Sequence, residues 1–340
     1  MTEQINKHIF RIGVPLPKNP LKETNSYLIR SEGKELLIDT GFRRPECRNA
    51  LRAGLKELWV DTDHLDILTT HMHSDHAGLA REFAGTDSHI YMSRRDLNYL
   101  THNFFTGKHT EKMRTRFLAE GFPQMILDSI ANGTPSVLYS MEKTDDRFVP
   151  LDNGSEIQVG ALHLETIITP GHTPGNAMFW LREERIMFTG DQVLFDITPN
   201  ITAWPDTNDS LQDYLDSLEH IKSFPVELAL PGHRKSGNYQ QRILELQQHH
   251  QNRLAEIFHI ISREPGLSAY EITARMSWNV HCNGWNDFPD RQRWYAVGEC
   301  LAHLDYLCHH CMIERKNSGD RITYHAHSGD FLDPCFRCDF

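Results

Sequence analysis

Apolar positions along the chain keep two different rhythms. Short apolar runs bounded by Gly, Pro or charged turns dominate residues 25–39, 65–92 and 154–230, and they predict strands. Asn25–Arg30 and Glu35–Asp39 read as a β-hairpin closed by Ser31-Glu32-Gly33-Lys34. Leu65–Leu68, with Asp66 inside it, reads as a buried strand ending at Thr69-Thr70, and His89–Met92 as another. Gly154–Val159, Leu162–Ile168, Ala177–Leu181, Ile186–Thr189 and Val226–Leu230 predict five more, with Glu183-Glu184 at a hairpin turn. The preceding Pro15-Leu16-Pro17-Lys18-Asn19-Pro20 cannot enter a helix or a central strand and is expected as a loop.

Helical spacing takes over elsewhere. It predicts helices over 45–59 (Leu51, Leu55, Leu58), 77–83 and 210–224, the last with Leu211, Tyr214, Leu215, Leu218 and Ile221 on one face and Ser210 as N-cap. Much of 94–147 is also helical in pattern. Residues 238–263 predict one long helix, on which Gln248, His249 and His250 are expected to be exposed. Helices over 267–276 and 291–308, then a hairpin of 312–316 and 321–325 around Asn317-Ser318-Gly319-Asp320, complete the chain.

The predicted strands end on metal-binding chemistry. The Leu65–Leu68 strand empties into a turn carrying His71, His73, Asp75 and His76. Alternate side chains of an extended segment share a face, so His71 and His73 can grip one ion together. Asp75 and His76, where the chain curls toward a helix, can turn to a neighbouring one. Imidazole and carboxylate are the donors that borderline divalent ions prefer. Three further strand ends each present one such residue beside a Gly or Pro: Gly171-His172-Thr173-Pro174-Gly175, Gly190-Asp191 and Pro231-Gly232-His233.

On these motifs, and on Leu36-Leu37-Ile38-Asp39-Thr40-Gly41, the chain from about Asn25 to His233 resembles the metallo-β-lactamase superfamily of binuclear metallohydrolases. The resemblance implies an αββα sandwich. It places His71, His73 and His172 on a first metal, and Asp75, His76 and His233 on a second. Asp191 would bridge the two, and Asp39 would hold a ligand or its turn. Asp75 and Asp191 would carry catalysis with the ions. Ninety-five residues separate His76 from His172, which leaves room for a helical lid inserted over about 94–147. The expected organisation is a catalytic domain over 1–240 and a C-terminal domain over 241–340, made of a linker helix and a winged-helix-like module.

The implied activity is that of a binuclear hydrolase. A metal-bridging hydroxide would attack a thioester, ester or lactone whose acyl group lies under the apolar lid, the metal motifs being similar to those of glyoxalase II. Five His and two Asp accommodate two divalent ions, with zinc expected and iron or manganese as alternatives. The alternative activity is a metal-dependent ribonuclease, suggested by the winged-helix-like module.

Charge weighs against that alternative. The chain carries a formal net charge of −11, and residues 250–340 hold nine Lys/Arg against twelve Asp/Glu, a poor match for polyanions. The C-terminal domain is therefore read as a packing or dimerisation element. A small-molecule substrate is expected, and Lys108–Arg116, with four Lys/Arg against Glu111, offers Lys112 and Arg114 as a clamp for an anionic group on it. No apolar stretch approaches the roughly 20 residues of a membrane span. The N-terminus lacks a secretory pattern, and seven cysteines fit reduced thiols in the cytoplasm. Cys308, Cys311, Cys335 and Cys338 form two C-x-x-C pairs compatible with a structural zinc.

Overall fold

The computed structural model describes residues 2–133, 140–280, 282, 284–319 and 321–327. They form two compact units, the first of Met1–Phe105, Pro135–Pro199 and Lys222–Ile243, the second of Thr106–Thr134, Asn200–Ile221 and Leu244–Phe340.

The first unit is built on two sheets. One has seven strands side by side in chain order: β1 (Thr2–Gln4), β2 (Ile9–Pro15), β3 (Glu23–Ser31), β4 (Lys34–Ile38), β5 (Asp66–Leu68), β6 (Ile90–Ser93) and β7 (Phe148–Leu151). The pairs from β1 to β4 are antiparallel and those from β4 to β7 are parallel. The other sheet contains β8 (Glu156–Val159), β9 (Leu162–Ile168), β10 (Ala177–Leu181), β11 (Ile186–Gly190) and β12 (Leu228–Pro231). Its order is β12-β11-β10-β9-β8, and only the β11–β12 pair is parallel.

Period-two patterning closes the sandwich. In β8, Ile157 and Val159 are buried while Glu156 and Gln158 face out. One core joins Ile29, Leu36, Ile38 and Leu68 of the first sheet with Leu164, Phe179, Leu181, Phe188 and Leu230 of the second. Tyr27 meets Phe188 edge-on at 5.5 Å between ring centroids. All five residues of β10 are buried, as a strand covered on both faces requires. The helix Pro45–Glu57 lies on the first sheet so closely that a Cβ on Gly54 would stand 2.5 Å from Ile12 Cγ2.

Several expectations need correction. β1, β2 and β7 were not foreseen: the segment ahead of the hairpin and the run containing Pro150 carry mixed polar signals, and β7 is a strand through its parallel pairing with β6. The helix expected over 77–83 is two short pieces, Ser74–Ala77 and Ala80–Phe83. Ser210 is the first helical residue rather than the cap. Asp209 caps instead, its Oδ1 accepting from Gln212 N at 2.9 Å, and the helix ends at Ile221.

The second unit gathers the helices Lys108–Ala119, Gln124–Gly133, Ser210–Ile221, Ala269–Thr273 and Asp290–His309, the later part of the helix Tyr239–Arg263, and a hairpin of β13 (Ile313–Ser318) and β14 (Arg321–Ala326). The segment expected as a lid is thus divided. Arg94–Tyr99 belongs to the first unit, whereas Lys108–Ala119 and Gln124–Gly133 fold with the second. There Phe117 stacks on Trp294 at 5.5 Å and Phe122 packs on Tyr270. On the long helix Gln248 is exposed, but His250 is buried, contrary to expectation. The helical period sets it on the face of Ile243, Leu246, Leu254 and Ile257, against Tyr214 and His303. Among the described residues no helix is long and apolar enough to cross a membrane.

Candidate metal centre

Parallel pairing sets neighbouring strand ends at one edge of each sheet. Asp39 follows β4 and Thr70-His71 follows β5 in the first sheet, while Asp191 follows β11 and His233 follows β12 in the second. The seven candidate ligands meet where these edges face each other. His71, His73 and His172 bring one donor atom each to within 4.8 Å of one another; so do His71, His76 and Asp191, and Asp75, His76 and His233. His71 Nε2 lies 3.0 Å from His73 Nδ1, and His76 Nε2 lies 3.2 Å from His233 Nε2. Asp191 stands among them, with Oδ1 3.5 Å from His76 Nε2 and Oδ2 3.4 Å from His233 Nε2 and 3.8 Å from His172 Nε2. Asp75 Oδ2 is 3.4 Å from His233 Nε2.

The ring nitrogens are oriented from behind. Asp39, buried and in the left-handed region at φ 59°, accepts from Thr70 N and from Thr70 Oγ1, both at 2.8 Å. It also accepts from His76 Nδ1 at 2.7 Å. The Thr70 hydroxyl, having given its proton to Asp39, accepts from His71 Nδ1 at 3.0 Å. His233 Nδ1 donates to the Glu23 carbonyl at 2.7 Å. In all three rings Nδ1–H is engaged, so Nε2 is the nitrogen turned into the centre.

The electrostatics fit a cation. Burial and the neighbouring imidazoles hold His71 well below its ordinary value and His73 down at about 3, so both are neutral donors. Burial opposes charge on His76 and His233 too. The carboxylates outweigh it: Asp39 and Asp191 lift His76 well above its usual range, and Asp191 lifts His233 to about 10. Against the same burial, Asp75 is held at about 2, chiefly by His76, and Asp191 well below the usual range by His233 and His76. The centre attracts positive charge strongly enough to hold protons on imidazole. Asp191 Oδ1 is buried without a hydrogen-bond partner among the described residues. Converging ring nitrogens, an unsatisfied carboxylate oxygen and a pure N/O donor set suit divalent ions of the zinc, iron or manganese type.

Several residues that hold this centre carry no signal in the sequence. Asp96, wholly buried, accepts hydrogen bonds from Met72 N, Thr173 Oγ1 and Gly175 N. Burial pushes its carboxyl up to about 6 against those bonds. Asn25 donates through Nδ2 to the Pro231 and Arg234 carbonyls on either side of His233. Nothing in the sequence separates these polar residues from ordinary strand-end and helix-start ones. In the sequence Gly232 reads only as a turn-former. A Cβ there would lie 2.5 Å from Asp191 Oδ1 and 2.7 Å from His76 Cε1.

The remaining candidates lie in the second unit. Lys112 Nζ is 2.6 Å and 2.7 Å from the two Asp206 carboxylate oxygens, and Arg114 Nη2 is 2.8 Å from Asp128 Oδ1, so each cation already has an anion. Cys308 is half-buried, with its thiol pushed up to about 12 by burial, and Cys311 is exposed. Cys335 and Cys338, and with them the structural-zinc expectation, lie outside the described residues.

Comparison with known proteins agrees with this architecture. The family model of the metallo-beta-lactamase superfamily matches residues 20–233, and the chain belongs to that superfamily, as a hydrolase. It is 27% identical over 325 residues to "Beta-lactamase-like protein 2 homolog" of Caenorhabditis elegans, covering 93% of this chain and 89% of that protein. It is 24% identical over 231 residues to "Atrochrysone carboxyl ACP thioesterase" of Emericella nidulans, covering 68% of this chain and 57% of the thioesterase. Among solved structures, a metallo-beta-lactamase family protein of Thermus thermophilus superposes with a TM-score of 0.80 at 27% identity, over 95% of this chain and 100% of that one. A beta-lactamase domain protein of Burkholderia ambifaria shares the fold at a TM-score of 0.80 and 23% identity, over 96% and 94% of the two chains.

Proposed function

We propose that the chain is a binuclear metal-dependent hydrolase of thioesters, esters or lactones. His71, His73 and His172 would hold one ion, Asp75, His76 and His233 the other, and Asp191 would serve both. The observation that carries this reading is the convergence of seven donors from four strand ends in three overlapping groups, with the Nε2 atoms of His71, His76 and His233 turned inward by bonds at Nδ1. Ions held there supply Lewis acidity and water that ionises near neutral pH. The chain's own part is positional. Asp39 fixes the His76 tautomer directly and His71 through Thr70, and Glu23 fixes His233 through its carbonyl. The carboxylates of Asp75 and Asp191, kept ionised beside imidazoles, would bring negative charge to the ions and orient water held there.

Thioesters head the substrate order because several similar proteins are named as acyl-carrier thioesterases. Metal-loaded protein should turn over acyl thioesters and lose that activity on chelation, regaining it with about two equivalents of zinc per chain. A fluorescent single-stranded RNA is the second substrate in the same assay. Cleavage of RNA without thioester turnover would replace this reading by the nuclease one, and activity untouched by exhaustive chelation would end both.

A further inference from the structure

Two of the three residues grouped around the first ion stand on one turn, and the third stands on another. His71 and His73 follow β5 of the seven-stranded sheet, and His172 follows β9 of the five-stranded sheet. β5 and β9 do not pair with each other, and one backbone bond, from Ala177 N to the Thr70 carbonyl at 2.8 Å, joins the segments that flank these turns. One carboxylate does touch both. Asp96 Oδ2 accepts from Met72 N, between His71 and His73, and from Thr173 Oγ1, next to His172, each at 2.8 Å. Its Oδ1 accepts from Gly175 N at 2.7 Å. Asp96 is itself anchored at the start of the helix Arg94–Tyr99, where its N–H donates to the Ser93 hydroxyl at 3.2 Å. The approach is tight. A Cβ on Gly175 would stand 2.3 Å from Ser93 Oγ and 2.4 Å from Asp96 N, so only glycine lets the His172 turn close on this helix start.

We infer that Asp96 is the positioning residue of the first metal site: it ties the His71–His73 turn to the His172 turn and sets the spacing of that trio. It touches neither the second trio nor the reacting atoms. Asp39 does corresponding work for His76 directly and for His71 through Thr70, and the Glu23 carbonyl does it for His233. Among these supports Asp96 is the one that reaches the first trio alone.

This inference rests on the two-ion reading, and a cobalt(II) titration followed by visible absorption separates the two. Wild-type protein should take up two Co(II) per chain. Fewer than two would refute the two-ion reading, and the assignment of Asp96 with it. In Asp96→Asn an amide must turn its NH2 toward either Met72 N–H or Gly175 N–H, breaking one support while keeping the volume. The expected result is a loss of about 10–100-fold in affinity for one ion, with a changed d–d spectrum for that ion and an unchanged constant for the other. Two unaltered binding constants, or an equal loss at both, would overturn the inference. Should Asp96→Asn fail to fold, Thr173→Val removes one of the three bonds alone. It should weaken the same ion to a smaller extent, and an unchanged spectrum would overturn the inference equally.

Discussion

Replacement of Gly232 by Ala tests whether the candidate ligands truly converge. Gly232 precedes His233, its N–H donates to the Gly190 carbonyl at 2.8 Å, and its own carbonyl accepts from Asn25 N at 2.7 Å. The backbone is thus held from both sides. An added Cβ would meet Asp191 Oδ1 at 2.5 Å and His76 Cε1 at 2.7 Å, where ordinary contact begins at about 3.5 Å. Neither neighbour can swing clear: His76 is wholly buried and bonded to Asp39, and Asp191 is 6% exposed. A displacement on the order of 1 Å must therefore fall on the donor atoms themselves, in a centre that needs its geometry within roughly 0.5 Å. Overpacking of this kind costs about 1–3 kcal/mol of stability, which a folded domain can survive. The metal should suffer more, with ion affinity falling by about 10–100-fold or beyond and turnover following it. Elemental analysis after dialysis against a zinc buffer, beside far-UV circular dichroism, reads both effects. A folded Gly232→Ala protein with two ions at wild-type affinity would show that Asp191 and His76 are not ligands of a shared centre.

The remaining predictions concern the second unit. Glu120 is wholly buried, accepts from Tyr324 Oη at 2.8 Å, and is pushed by burial up to about 7 from an ordinary 4.5. The folded chain keeps a proton that the unfolded chain releases, so this group's contribution is full below about pH 4.5 and is lost as pH rises through 7. Glu120→Gln should therefore be nearly neutral at pH 4 and stabilise by at most about 3 kcal/mol at pH 8, as measured by urea unfolding at both values; an equal effect at both would refute the burial argument. Lys112→Ala with Arg114→Ala should leave KM for an anionic thioester within about twofold, because Asp206 and Asp128 already neutralise those half-exposed cations. A many-fold rise confined to anionic substrates would restore the clamp.

What was legible in the sequence was local. The candidate ligands sit in the turns that follow strand ends, three of them beside a Gly or Pro, so four short motifs suffice to nominate seven side chains. The sandwich was legible for the same reason, since β8, β9 and β10 carry their burial pattern in their own residues. What escaped was set at long range. β7 is a strand through pairing with β6, from which it is separated by the helices of the insertion. The partition of 94–147 turned on where Phe117 and Phe122 could bury, and helical periodicity names the buried face without naming its partner. His250 is one of three adjacent polar residues, so composition predicts exposure where the helical period alone predicts burial. Asp96 looks like any acidic residue in the first turn of a helix, and only its three distant donors mark it.

The anchoring pattern has a thermodynamic consequence for the first unit. His76 and His233 each depend on a bond at Nδ1 to a group on or beside another strand, His71 reaches Asp39 through Thr70, and the candidate ligands divide between both sheets. The centre therefore exists only when the sandwich is closed, and an ion that binds it binds the folded unit and not the open one. Such an ion stabilises by RT ln(1 + [M]/Kd), about 2.7 kcal/mol at a hundredfold excess over Kd. Removing it leaves the carboxylates of Asp75 and Asp191, which repel each other, with only imidazoles to answer their charge. The sandwich core of Phe179, Phe188 and Leu230 must absorb that cost. Zinc should accordingly raise the unfolding midpoint of the first unit, and the gain should grow with the logarithm of free zinc. A midpoint insensitive to zinc would mean that the donors do not close on an ion, whatever their proximity.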